Sequence, residues 1–201
     1  MIYFNNDYSE GCHPKVLEAL KKTNMEQTPC NGMDAHCARA AQLIRGLCRD
    51  ESLDVHFLVG GTQTNLTVIA AALRPHQGVL GADTAHINVH ETGAIEATGH
   101  KVLWLPNADG KITAEQVRSC VLAHRADESF EHTVQPKMVY ISNPTELGTL
   151  YTRRELEALH QVCGELGLYL FLDGARLGYG LAANGNDVTM PDLAKFCDVF
   201  Y

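Results

Sequence analysis

Residues 169–172, Tyr-Leu-Phe-Leu, run straight into Asp173-Gly-Ala-Arg176. Four mostly apolar residues in a row leave no polar face for water. They read as a strand buried on both sides, the pattern of a parallel sheet covered by helices. A parallel neighbour demands a long crossover connection, commonly a helix, so strands and helices must alternate along the chain. The acid and the guanidinium then arrive at the carboxyl end of that strand, where open α/β sheets take their ligands.

The rest of the chain keeps this alternation. Residues 55–59 read as a strand ending at Gly60-Gly61, and 63–73 as a helix stopped by Arg74-Pro75. Strands are expected at 78–82, 101–105, 138–142, 169–172 and from 198. Helices are expected at 86–98 with Gly99 behind it, from Thr113 to about His124, at 152–166 and at 191–196. Thr113 with Gln116 three residues on is a capping-box pattern, and Gly167 sits where a helix C-terminus favours glycine. Residues 128–137 read as a polar connection. The fold class is α/β, a mostly parallel sheet flanked by helices. The first fifty residues differ: an extended arm, a helix at 14–22, an irregular stretch at 24–33 and a helix at about 34–48. The expected division is therefore 1–50 as arm and helices, and 51–201 as the α/β domain.

The net charge of -8 disfavours nucleic acid and anionic membranes as partners. No run of about 18 apolar residues suggests a membrane span. The start, Met1-Ile-Tyr-Phe-Asn-Asn-Asp7, has neither the basic nor the apolar region of a signal peptide. Seven cysteines with no CxxC pair read as reduced thiols, which places the protein in the cytoplasm.

Four segments carry chemistry. Gly60-Gly61-Thr62 stands between a strand and a helix, where free N–H groups favour an anion. It reads either as a phosphate cradle or as a plain turn with Thr62 as cap. His86 and His90 are spaced i, i+4, but the glutamate that follows the first histidine of a catalytic zinc motif is replaced by Ile87. His86 alone suits stacking on a flat cofactor, or is a hydrogen-bonded core histidine. Asn143-Pro144 is either a ligand for a phenolate-like oxygen or a turn. Asp173 with Arg176 is either an internal ion pair or a cofactor clamp. In the second case the carboxylate suits the cationic ring nitrogen of pyridoxal phosphate (PLP). Arg176 then reaches the ring's 3′ oxygen or a substrate carboxylate.

Taken in order, Gly60-Gly-Thr-Gln-Thr-Asn65, Ala85-His86, Ser142-Asn-Pro144 and Leu172-Asp-Gly-Ala-Arg176 resemble the threonine aldolase/β-eliminating lyase family, PLP-dependent enzymes of fold type I. The resemblance runs from Asn5-Asn6-Asp7 to Asp198–Tyr201. It implies the aspartate aminotransferase-like large domain. It also implies that Gly61 and Thr62, with Gly60 nearby, hold the phosphate, and that His86 covers the ring. Asp173 meets the ring nitrogen, Arg176 the 3′ oxygen, and Asn143 lies alongside. The implied chemistry is retro-aldol cleavage of L-threonine or related β-hydroxy amino acids, a small-molecule substrate, to glycine and an aldehyde. The implied assembly is a homodimer or homotetramer.

The sequence departs from the family pattern in three ways. The lysine that carries PLP in relatives comes after the point where this chain stops, and Lys195 reads as a surface residue of a short helix. The expectation is an N-terminal portion of a longer enzyme, inactive alone. Many relatives have a histidine in the loop matching Asn143–Gly148, whereas this chain has none between His132 and His160. The base is then His86, a water or the cofactor phosphate. Tyr8 stands where a small hydroxyl residue is usual. The competing functions are a PLP-dependent β-eliminating lyase or aminotransferase, a noncatalytic binding or dimerisation module, and a metal hydrolase using His86 and His90.

Overall fold

The structure is a computed structural model that describes Tyr3 and residues 6–201. Met1, Ile2, Phe4 and Asn5, which open the expected arm, lie outside the described residues. The chain forms two compact units, Met1–Ala40 and Ala41–Tyr201. The division falls inside a helix.

The first unit holds α1 (Pro14–Thr23) and the start of α2 (Ala35–Cys48). His13 caps α1 by accepting the Lys15 N–H, and Pro14 occupies a position where a missing N–H costs nothing. None of the residues of α1 is buried.

The second unit is a five-stranded sheet. Its strands are β1 (Gln77–Ala82), β2 (Val102–Leu105), β3 (Gln135–Ser142), β4 (Tyr169–Asp173) and β5 (Val199–Phe200). Their order is β2-β1-β3-β4-β5, and every pairing is parallel. All six residues of β1 are buried although successive side chains point to opposite faces, so both faces of the sheet are covered. α6 (Ala114–Ala126) packs on β3, and α7 (Arg153–Leu166) packs on β4 and on α6. Thr113 and Thr152 each close a capping box, and Gly167 ends α7 at φ 70°. α9 (Met190–Phe196) lies against α7. Leu170, Phe171 and Leu172 of β4 are fully buried, with Val79, Leu80, Met138, Val139 and Tyr140 beside them.

Several expectations need correction. Residues 55–59 form no strand, because none of the described residues pairs with them: Phe57, Leu58 and Val59 stand exposed, Val59 at 94%. The helix expected at 86–98 is two single turns, α4 (His86–Val89) and α5 (Ala94–Ala97). Between them Thr92 and Gly93 take left-handed backbone angles that end any helix. The polar connection at 128–137 contains a 3₁₀ turn, Phe130–His132, and the start of β3, whose Gln135 accepts a bond from Gln77. α8 (Leu177–Ala182) was not expected, since two glycines in six residues argue against a helix. Gly180 is needed there because a Cβ would come within 2.9 Å of Pro144.

Candidate active site

The functional candidates gather at the carboxyl ends of the strands. α3 (Gly61–Ala72) begins at an extended Gly60 and sends Gly61, Asn65 and Ile69, four residues apart, along one face. Ile69 joins the core, while Asn65 is buried in the site. Gly61 lies under the Tyr201 ring: a Cβ there would stand 2.9 Å from the Tyr201 hydroxyl. The first N–H groups of α3 have no partner within the helix, as at any helix start. The Gln63 side chain accepts the Val59 N–H at 2.8 Å and ties down the approach.

Asp173 ends β4 and is 4% exposed. Its Oδ2 accepts the Tyr140 hydroxyl and, at 3.3 Å, the Asn65 amide. Its Oδ1 accepts the Ala175 N–H at 2.9 Å. Burial, and then the Asp173 charge, push the Tyr140 phenol well above the ordinary tyrosine range. The Tyr201 phenol is raised in the same way, by burial first and Asp173 second. Both phenols are therefore held protonated beside the carboxylate, and Tyr140 donates to it.

His86 opens α4. Its Nδ1 lies 2.7 Å from Glu91 Oε1, and its backbone N–H donates to Glu146 Oε1 at 3.0 Å. The Glu91 side chain is wholly buried, and the same Oε1 accepts the Asn65 amide at 2.7 Å. His90 is a ring neighbour of His86, 5.4 Å between centroids. Among the described residues no cluster of three or more His, Cys, Asp or Glu could hold a metal. Asn143 precedes a cis Pro144; its N–H donates to the Asp173 carbonyl, and its Oδ1 accepts the Tyr151 N–H at 3.0 Å. That oxygen serves the turn. Arg176 is half-buried and caps α8 just beyond Asp173.

The fold thus links Gly61, His86, Asn143 and Asp173 in one neighbourhood, with Gly60, Thr62 and Arg176 beside them in the chain. The sequence reading missed Asn65, Glu91, Tyr140 and Glu146, which knit the neighbourhood together. Asn65 could have been found one helical turn after Gly61.

A family model for "Beta-eliminating lyase" matches residues 12–201. The chain belongs to the beta-eliminating lyase family. A low specificity L-threonine aldolase of Pseudomonas aeruginosa is 33% identical to this family member over 184 residues, 90% of this chain and 52% of that protein. The chain spans about half the length of the curated relatives it matches. The solved Leishmania major threonine aldolase is 51% identical, with a TM-score of 0.93 over 98% of this chain and 56% of that one. A PLP-bound C–S lyase from Staphylococcus hominis, 17% identical with a TM-score of 0.58 over 82% of this chain and 41% of its own, shares the fold alone. The fold is that of the type I PLP enzymes.

The residues present fit a flat cation with a phosphate arm. A carboxylate held by several donors, buried at a strand end, is expensive unless a cation comes to it. A helix N-terminus near it receives an anion.

Proposed function

We propose that this beta-eliminating lyase family member binds PLP in residues 51–201, part of the large domain, with 1–50 as an N-terminal arm and helices. The reaction, carried out by the full-length protein and not by this chain alone, is cleavage of L-threonine or related β-hydroxy-α-amino acids to glycine and an aldehyde. The observation that carries the reading is Asp173, buried, clamped by Tyr140 and Asn65, at the end of a parallel strand.

When bound, PLP supplies an electron sink for the carbanion left by breaking the Cα–Cβ bond. The residues of this chain do the rest. The amides of Gly61 and Thr62, with Gly60, hold the phosphate. Asp173 keeps a proton on the ring nitrogen. Arg176 donates to the 3′ oxygen, and Asn143 borders it. His86 would cover the ring face, and the β-hydroxyl proton would go to His86 Nε2, to a water or to the cofactor phosphate. A reducing cytoplasm suits the seven free thiols, and a homodimer or homotetramer is the proposed assembly.

The test is an absorbance titration of the chain and of the full-length gene product with PLP, before and after borohydride, followed by L-threonine. A PLP band fixed by reduction only in the full-length gene product, with glycine and acetaldehyde appearing together from that protein and not from the 201-residue chain, is the expected result. Absence of any PLP signal from both proteins sinks the reading. Pyruvate with ammonia from L-serine, in place of glycine and aldehyde, reassigns the reaction to β-elimination.

A further inference from the structure

The reading above leaves Glu91 without a task, yet its carboxylate is wholly buried, with a side-chain exposure of 0%. An apolar side chain there would fold at lower cost, because a buried charge is tolerated only where specific partners hold it. The partners are specific. Oε1 meets His86 Nδ1 and the Asn65 amide, each at 2.7 Å, and the same amide nitrogen reaches Asp173 Oδ2 at 3.3 Å. A continuous hydrogen-bonded path therefore runs His86–Glu91–Asn65–Asp173. It joins the residue that covers the cofactor face to the residue that meets its ring nitrogen.

The direction of each bond follows from what the groups can do. A carboxylate only accepts, so the hydrogen between Glu91 and His86 sits on Nδ1 whether the ring is neutral or charged. The Asn65 amide must point its nitrogen at the two carboxylates, since a flipped amide would set Oδ1 against both. Among the described residues that orientation leaves Asn65 Oδ1 without a partner, and Glu91 Oε2 has none either. Two buried acceptors left unanswered are a cost that stability alone does not explain.

We propose that Glu91 is a positioning residue: it holds His86 with its hydrogen on Nδ1, so that Nε2 is the nitrogen presented to cofactor or substrate. Asn65 anchors Glu91 in turn and makes the His86 orientation depend on the Asp173 carboxylate. This role rests on the PLP reading for its purpose, but its geometry exists in the chain with nothing bound.

Long-range ¹⁵N–¹H NMR of the histidine-labelled 201-residue chain, without PLP and at about pH 8, reads the tautomer directly, above the ordinary histidine range. His86→Gln identifies the His86 signals by their loss. The expected pattern is a protonated Nδ1 and a bare Nε2. Glu91→Leu should shift the ring toward a protonated Nε2, and Glu91→Gln, whose amide oxygen still accepts, should keep Nδ1 protonated. A native His86 with its hydrogen on Nε2 overturns the proposal, as does an unchanged tautomer in a folded Glu91→Leu variant. If Glu91→Leu does not fold, the native spectrum still decides. PLP failing to bind would sink the cofactor reading and leave this result standing, so the two failures are separable.

Discussion

On the α6–α7 side of the sheet, the polar groups that go inside are answered one by one; at the rim beyond β3 and β4 they are not. The Tyr151 hydroxyl accepts the Ile112 N–H at 2.8 Å, and Lys111 reaches both oxygens of Glu155 and the Leu150 carbonyl. Arg125 meets the Leu166 carbonyl at the end of α7, and two capping boxes close the helix starts. At the rim, Asp173, Glu91 and Asn65 share donors, and Asn65 Oδ1, Glu91 Oε2 and Thr84 Oγ1 have no partner among the described residues. The first region is built for stability. The second breaks the rule of satisfied buried polar groups, and such breaks belong at functional sites.

If that contrast holds, stability should respond to the helix side far more than to the rim. The largest effect is expected for Leu159→Ala in α7, where the side chain is 1% exposed. Deleting its buried methyl groups should cost about 2–5 kcal/mol. Urea unfolding followed by circular dichroism reads it as a lower midpoint with an unchanged slope. A loss well below 1 kcal/mol would mean that α7 is not firmly seated on the sheet.

Asp173→Asn probes the other side. The amide keeps the shape and still accepts from Ala175, but its nitrogen cannot accept from Asn65 as Oδ2 does, so the unfolding midpoint should fall modestly, by less than for Leu159→Ala. It has no charge to offer a ring cation, so PLP affinity should fall at least tenfold, about 1.4 kcal/mol. Fluorescence titration with PLP reads this. Unchanged PLP affinity, alongside a large loss of stability, would make Asp173 part of the scaffold and erase the contrast.

What was legible in the sequence follows the same division. The helix starts at Thr113 and Thr152 and the stop at Gly167 were readable because each is settled within a few residues by its own side chains. The buried run of β4 was readable because a strand covered on both faces must be apolar throughout. The segment at 55–59 looked equally strand-like, but a strand exists only where a neighbour pairs with it, which no local pattern reveals. The turns at Thr92 and Gly93 split a helix that periodicity alone would continue. Within the candidate site, Asp173 and His86 were singled out by type and place. Asn65 was not, because its bond to Asp173 joins positions 108 residues apart, and only the assembled fold shows that one amide serves two carboxylates.

The smallest expected effect is the sharpest test of how the rim is built. The hydroxyl of Thr84 is buried without a partner, two residues before His86. Thr84→Val replaces that hydroxyl by a methyl of similar size. On the α6–α7 side such a change would break a bond and cost stability. At the rim it removes an unanswered polar atom whose burial costs about 1–3 kcal/mol in general. Stability should therefore be unchanged or rise by up to ~1 kcal/mol, since part of that cost is recovered by local relaxation in the native protein. Paired urea curves for the native chain and Thr84→Val measure it. A clear loss would show that the hydroxyl has a partner, for example an ordered water, and the rim would then be as fully satisfied at this position as the helix side. A gain, with the His86 tautomer unchanged, would mark Thr84 as a place where the rim gives up stability for a group that the site itself uses.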